Sequence, residues 1–481
     1  MYAGARKMRV APEHAVEIRR SAADFGGVAL LTALAAYLRI PYLGTRPLWM
    51  DEAAGAALAR LPATEFRHVL FAREMNMAPY YLLLRWIPPL THSEFSLRIV
   101  PAIFGVLCVP LLWIVALRAL DPPRNRPLAF LVAAAAALNG FLIAYSQEAR
   151  AYSAALFFLI AALLTVVRIL RGRSSATVWA IYAVLALYCH FFTLLWLVPQ
   201  FLMVISAERH NGQRLRTAIV VLVAGLLPLA AFAAHTRGGQ LDWVPHLSGS
   251  YALEILRTLG GYSLLAASML FAAAFVGVAL FLRERTRMGL LFASQMLVPL
   301  LVLLLLSVAH PVFVPRFLMF ILPATYVCAA RAAQQLSPVL AIALAAPFFA
   351  ATVSAKSHRP PRADWQTATA FLCEDPHRAI FFSPTMAKFP FEFYLRQHPG
   401  CAPAVAPGNL EPSGNDFFSG KKQLATEACA SGWQQAVLVL DNVPSPSPAA
   451  LTGNCYRETQ RLTRDNLLYV WMTSSQAAPI K

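Results

Sequence analysis

The sequence predicts a polytopic α-helical membrane protein with about 11 transmembrane helices and a small C-terminal α/β domain. Three observations predict it. The 481 residues are 58% hydrophobic and 14% charged, with a mean hydropathy of +0.54, whereas a soluble domain carries about 25% charged residues. Residues 24–38, 128–144, 153–167, 217–234, 262–282, 289–309 and 337–353 are nearly free of charge, and a span needs roughly 20 apolar residues, with about 17 as the lower limit. From residue 356 the composition turns polar, and Pro and Gly rise.

The net charge of +17 invites a nucleic-acid reading. Its placement points to topology instead, and no nucleic-acid partner is expected. The clusters Arg118, Arg124, Arg126; Arg168, Arg171, Arg173; Arg209, Arg214, Arg216; and Arg283, Arg285, Arg287 sit between apolar runs. They fall at every second loop, as basic residues do on the cytoplasmic side of a membrane. The N-terminal tail, 1–22, adds Arg6, Lys7, Arg9, Arg19 and Arg20 and is expected in the cytoplasm. The first apolar run leads into Arg39 and Pro41 without a small-residue cleavage site, so it is expected to stay as a first helix.

The elements follow in order from that start. Helix 1 is expected at 23–41, then a long outer loop at 42–94 with a semi-apolar stretch at 78–90. Helix 2 is expected at 96–117, helix 3 at 128–144 and helix 4 at 153–170. Residues 177–206 are ambiguous. They make about 45 Å of helix, long for one span and short for two, and a single span would leave Arg209, Arg214 and Arg216 outside. Two short helices broken near Cys189-His190 fit better. Helices 7 to 11 are expected at 217–234, 262–282, 289–309, 316–333 and 337–354, closing a membrane domain at 23–355. The outer loop at 235–261 carries Asp242-Trp243, read as an interfacial aromatic or a substrate contact.

The C-terminal domain, 356–481, is expected outside. It shows a helical stretch at 364–372 and β-like runs at 379–382, 436–440 and 467–471. It holds Cys373, Cys401, Cys429 and Cys455, for which three pairings are open. An oxidising compartment favours disulfides there. Cys108, Cys189 and Cys328 fall in apolar runs and are read as packing residues.

Leu48-Trp49-Met50-Asp51-Glu52 is the sharpest local signal, two adjacent carboxylates directly after the first helix. Such acids also suit the first turn of a helix. Glu74-Met75-Asn76-Met77-Ala78-Pro79-Tyr80-Tyr81 forms a polar turn before an apolar segment, and Ser93-Glu94-Phe95-Ser96-Leu97-Arg98 precedes helix 2. Arg98 is expected to snorkel and pair with Glu94.

Together these motifs resemble bacterial multi-pass glycosyltransferases of the GT-C fold, a group similar to protein O-mannosyltransferases and to the aminoarabinose transferases that modify lipid A. The likeness continues through Ser146-Gln147-Glu148-Ala149-Arg150-Ala151-Tyr152, Tyr188-Cys189-His190-Phe191-Phe192, Pro315-Arg316-Phe317-Leu318 and Arg362-Ala363-Asp364-Trp365. It covers most of residues 20–400. Ala78 departs from it, standing where a first Pro is common, and the chain after about residue 400 matches nothing assignable.

The resemblance implies an inner-membrane enzyme. It would move a sugar from a polyprenyl-phosphate donor to a hydroxyl or amine of a lipid, glycan or protein on the periplasmic face. It implies a single inverting displacement, a carboxylate base and fixed positive charge on the phosphate. Asp51 carries over as the base. Glu52 orients it, binds the acceptor or takes the role itself. Arg150 and Arg316 are the candidate phosphate clamps, and Glu148, Tyr80, Tyr145, Tyr152 and His190 the candidate substrate contacts. A divalent metal ion is left open, with Asp51 and Glu148 as its ligands.

Other classes remain. A glycolipid transporter or flippase would show inverted repeats and sites near the midplane. A surface-polysaccharide polymerase or ligase would carry its arginines and a histidine in a large late loop. A non-catalytic scaffold would tolerate loss of Asp51 and Arg316. No Walker-type loop, zinc spacing or Gly-x-Ser-x-Gly motif is present in the sequence.

Overall fold

The computed structural model describes residues 12–235, 244–354, 362–374, 379–401, 404–405, 433–441 and 455–475, with the backbone alone at 12–21 and 404–405. Residues 1–11 of the N-terminal tail, Asp242-Trp243 and Cys429 lie outside the described residues.

The chain is a polytopic helical membrane protein. It opens with α1 (Pro12–Arg39). The long loop that follows folds into three helices, α2 (Met50–Arg60), α3 (Ala63–Ala72) and α4 (Ala78–Trp86). Next come α5 (Glu94–Ala119), α6 (Asn125–Leu138), α7 (Gly140–Ser146) and α8 (Tyr152–Ile169). They are followed by α9 (Ala176–Cys189), α10 (Leu194–Glu208), α11 (Gly212–His235) and α12 (Gly249–Leu259). The membrane domain closes with α13 (Leu264–Glu284), α14 (Arg287–Ala309), α15 (Pro315–Leu318), α16 (Leu322–Ala333) and α17 (Pro338–Ser354). Among the described residues 8 helical segments are long and apolar enough to cross a membrane, 9 with the bent pair α6–α7. The shorter α9 and α17 are apolar as well.

Two expectations need correction. Residues 128–144 are not one helix, because the span bends by 58° between α6 and α7. Asn139 sets the break: its Oδ1 accepts from Leu142 N at 3.1 Å and so caps α7, while its Nδ2 donates to Leu259 O at 3.0 Å. The helix expected at 316–333 is present as one apolar candidate span, Pro315–Ala333, with a 3₁₀ turn at Met319–Ile321 between α15 and α16. The loop at 235–261 contains the amphipathic α12. Residues 177–206 do form two helices, joined by a 3₁₀ turn at Phe191–Thr193 with His190 extended (φ −165°, ψ 120°).

Broken helices expose carbonyls that must find donors. Arg39, buried at the end of α1, supplies them. Its Nη1 donates to Ala137 O at 2.9 Å and its Nη2 to Ala136 O at 3.1 Å, both in the last turn of α6. Gln147, one residue beyond α7, donates back to Arg39 O at 3.0 Å. Gly105 of α5 lets α7 approach, since a Cβ there would collide with Ser146 Cβ. Arg39→Met should therefore loosen the bend that delivers Glu148 and Arg150. Each stranded buried carbonyl costs about 1–3 kcal/mol, so a lower melting temperature in detergent is expected. A wild-type melting temperature would contradict this.

Elsewhere in the membrane domain, one chain of polar side chains links three helices. Trp179 Nε1 donates to Gln200 Oε1 (3.0 Å), Gln200 Nε2 to Gln295 Oε1 (3.1 Å) and Gln295 Nε2 to Trp196 O (2.8 Å), tying α9, α10 and α14.

The C-terminal domain comprises α18 (Trp365–Cys373), β1 (Ala379–Ser383), α19 (Lys388–Leu395), β2 (Ala404–Val405), β3 (Gln435–Asp441), β4 (Tyr456–Arg464) and β5 (Leu467–Ser474). The sheet order is β2-β1-β3-β5-β4. β1 runs parallel to β2 and β3, and β5 antiparallel to β3 and β4. The central strands β1 and β3 are buried along almost their whole length, as strands covered on both faces are. The β4–β5 hairpin turns on Asp465-Asn466, both at positive φ (55° and 61°), the geometry of a tight two-residue hairpin. A disulfide joins Cys373 to Cys401, Cys455 is also disulfide-bonded, and Cys108, Cys189 and Cys328 are buried free thiols.

This domain docks on the loop helices. Tyr394 of α19 accepts from Leu48 N at 2.8 Å and donates to Glu94 Oε1 at 2.9 Å. Asn466 Nδ2 donates to Arg362 O at 3.0 Å, which positions the segment leading into α18.

Candidate active site

Two layers of charge meet where α2, the α7–α8 connection and α15 converge. The lower layer is buried. Glu52, in the first turn of α2, has no exposed surface and faces Arg98 of α5 through a two-pronged pair, Nε to Oε1 and Nη2 to Oε2, each 2.7 Å. Oε1 also accepts from Ala149 N at 2.8 Å, and Oε2 from Arg362 Nη1 at 3.3 Å. Arg98 spends its remaining donors on Leu43 O and Arg46 O, 2.7 Å each, and on Pro47 O, 3.2 Å. The expected pair with Glu94 is not formed; Glu94 receives Tyr394 instead. Burial alone would raise the Glu52 carboxyl, but Arg98, with Arg362 and the Ala149 N–H, outweighs it and holds the group below the usual carboxylate range. Arg362 bridges from Glu52 to Glu148 and lies over the Trp49 ring at 5.1 Å.

The upper layer is partly open. Asp51 Oδ2 stands 3.8 Å from Arg316 Nη1 and 4.0 Å from Arg150 Nη2. The Asp51 side chain is 26% exposed, against 14% for Arg150 and 15% for Arg316. Arg150 Nη1 donates to Tyr81 Oη at 2.8 Å, and Tyr81 in turn donates to Glu74 Oε2 at 3.0 Å. Adjacent residues on α2 thus take different places. Asp51 stands partly exposed between two guanidinium groups, while Glu52 is enclosed.

Solved structures share this arrangement of helices. The chain superposes on ArnT from Cupriavidus metallidurans bound to undecaprenyl phosphate with a TM-score of 0.60 at 14% identity, over 95% of this chain and 99% of that one. The chain has the GT-C fold. The same ArnT in the apo state gives 0.58 at 14% identity, over 93% of this chain and 98% of that one. The archaeal oligosaccharyltransferase AglB from Archaeoglobus fulgidus, in complex with an inhibitory peptide and a dolichol-phosphate, gives 0.51 at 11% identity, over 88% of this chain and 70% of that one. No family model matches the sequence, and no curated protein matches it.

Within this GT-C fold an aromatic wall backs the charges. Tyr145 meets Tyr152 edge-on at 5.2 Å, and Tyr152 meets His190 at 5.2 Å. His190 packs against Phe317 and Phe320 at 5.4 and 5.5 Å. It is buried, and its Nδ1 accepts from Phe192 N at 3.3 Å, which leaves the neutral ring's proton on Nε2. The turn before α4 is pinned to this break by Met77 N to Tyr188 O (3.1 Å) and Phe191 N to Asn76 Oδ1 (3.0 Å).

The structure therefore gathers Asp51, Arg150 and Arg316, with Tyr145, Tyr152 and His190 behind them. Tyr80 lies elsewhere: its hydroxyl donates to Leu97 O at 2.7 Å, and its neighbour Tyr81 is the one that reaches Arg150. Glu74, Tyr81 and the bridging role of Arg362 are not legible from spacing. The only signal for them is the polar turn before α4 and the Arg-Ala-Asp-Trp start of the C-terminal domain. For the metal expectation, Asp51 faces Arg150 and Arg316, and Glu148 pairs with Arg362. No group of three or more His, Cys, Asp or Glu suited to an ion occurs among the described residues. Paired in this way with arginines, Asp51 and Glu148 do not fit a metal centre.

Proposed function

We propose that this chain is a membrane glycosyltransferase that moves a sugar from a polyprenyl-phosphate donor to a hydroxyl or amine on a lipid, glycan or protein. The observation that carries the reading is the partly open Asp51 carboxylate between Arg150 and Arg316. The likeness to folds solved with undecaprenyl phosphate and with a dolichol-phosphate supports it. The arginine-rich loops support a cytoplasmic N-terminus and a site on the opposite, periplasmic face.

The chemistry needs the groups that this site holds. The donor phosphate carries one negative charge while esterified to the sugar. As the bond from C1 to its oxygen breaks, the electron pair goes to the phosphate, which gains a second negative charge. Guanidinium groups already fixed there bind the product-like charge better than the substrate. The leaving group is a stable anion, so no general acid is required. The acceptor O–H or N–H loses its proton to Asp51 as the new bond to C1 forms. Attack opposite the departing phosphate inverts the sugar. Glu52 and Arg98 act as supports beneath Asp51, and Arg362 ties Glu52 and Glu148 to the C-terminal domain.

Binding of undecaprenyl phosphate to the purified protein tests the donor half. Wild type is expected to bind it. Arg316→Met and Arg150→Met are each expected to weaken binding roughly tenfold or more, the loss of one charged hydrogen bond worth about 1.5–3 kcal/mol. Equal binding by all three proteins would remove the arginines from the donor site.

A further inference from the structure

We propose that Glu74 is the acceptor-side residue of this site, a carboxylate that receives a hydrogen bond from a hydroxyl or ammonium group of the acceptor. The inference rests on the transferase reading above.

Three features carry it. First, Glu74 stands alone among the site's carboxylates in having no arginine or lysine within ion-pairing distance among the described residues. Glu52 faces Arg98 and Arg362, Glu148 faces Arg362, and Asp51 faces Arg150 and Arg316. Second, only one of its oxygens is used. Oε2 accepts from Tyr81 at 3.0 Å, and Oε1 has no hydrogen-bond partner among the described residues. Third, it is wired to the donor side. Arg150 donates to the Tyr81 oxygen and Tyr81 donates to Glu74, a directed chain from phosphate clamp to carboxylate. Tyr81 therefore spends its proton on Glu74, and the open oxygen of Glu74 is left to a ligand.

An alternative is a carboxylate that merely anchors Tyr81 at the end of a loop. Glu74→Gln separates the two. The amide oxygen can still accept from Tyr81, so the shape and that bond persist while the charge is lost. Burial, partly offset by Arg150 and Tyr81 and reinforced by Asp51, raises the Glu74 carboxyl above its usual value, with Arg73 a smaller opposing influence. The acceptor contact needs the ionised form. Activity should therefore fall as pH drops through a value above the ordinary glutamate range.

The experiment uses full-length wild type and Glu74→Gln. Transfer from radiolabelled undecaprenyl-phosphate sugars to endogenous acceptor in membranes is followed against pH. Binding of undecaprenyl phosphate to each purified protein is measured in parallel. Glu74→Gln is expected to bind undecaprenyl phosphate as wild type does, to transfer at least about tenfold more slowly, and to lose the part of the acid limb that lies above the ordinary carboxylate range. Wild-type transfer with an unchanged acid limb would reduce Glu74 to a loop residue. Loss of undecaprenyl phosphate binding would make it a support of the donor site, and the inference would fall. Absence of transfer by wild type from every donor tried would sink the transferase reading itself, and this inference with it.

Discussion

Arg98→Met should remove most of the folded protein from the membrane. Glu52 has no exposed surface, and Arg98 meets both of its oxygens at 2.7 Å. Taking away one partner of such a pair strands a buried carboxylate, a cost of about 3–5 kcal/mol. Whole domains are stable by only roughly 5–15 kcal/mol. Arg362, at 3.3 Å, offsets part of the loss. Arg98 also holds Leu43 and Arg46, so the entry to α2 would loosen as well. Thermal unfolding of detergent-solubilised protein measures the effect. In wild type the Glu52 carboxyl is held below its unfolded value. The pair's contribution is complete above the ordinary carboxylate range and is lost as pH falls through the lower folded value. The gap between wild type and Arg98→Met should therefore narrow on acidification. Replacing both residues with apolar ones should recover stability that the single change loses.

Asp51→Asn should abolish transfer while sparing the lipid phosphate. The amide keeps the shape of the carboxylate but cannot take a proton from the acceptor. Loss of a general base costs about 10²–10⁴-fold in rate. The carboxylate also stands within 4.0 Å of both guanidinium groups. Removing its charge leaves more uncompensated positive charge for an incoming phosphate, so undecaprenyl phosphate should bind at least as tightly as to wild type. A residue that only stabilised the loop would give no such split between lost rate and kept binding.

The membrane helices are legible because a long charge-free run is too apolar to stay in water, and the arginine clusters mark the loops between them. The breaks are harder. The bend at Asn139 depends on a donor from Arg39, 98 residues before Ala137, that no local pattern reveals. The two-helix reading of 177–206 rests on charge placement rather than periodicity. In the sheet domain the apolar strands β1, β3 and β5 can be read, whereas β4 cannot. Its sequence, Tyr-Arg-Glu-Thr-Gln-Arg-Leu-Thr-Arg, is that of an exposed edge strand protected by charge.

The candidate site divides the same way. Asp51, Arg150 and Arg316 can be named from resemblance, and the fold brings them together. Side-chain direction is not written in the spacing: successive helical residues point about 100° apart, which separates Asp51 from Glu52 and Tyr81 from Tyr80. The pairs Glu52–Arg98 and Glu52–Arg362 span 46 and 310 residues of sequence, so only the folded chain displays them.

The decisive comparison is transfer of label from radiolabelled undecaprenyl-phosphate sugars in membranes holding equal amounts of wild type and Asp51→Asn. A labelled product is expected with wild type and none with Asp51→Asn. Equal transfer by the two proteins would overturn the assignment of Asp51 as the base, and Asp51 would then be a loop residue.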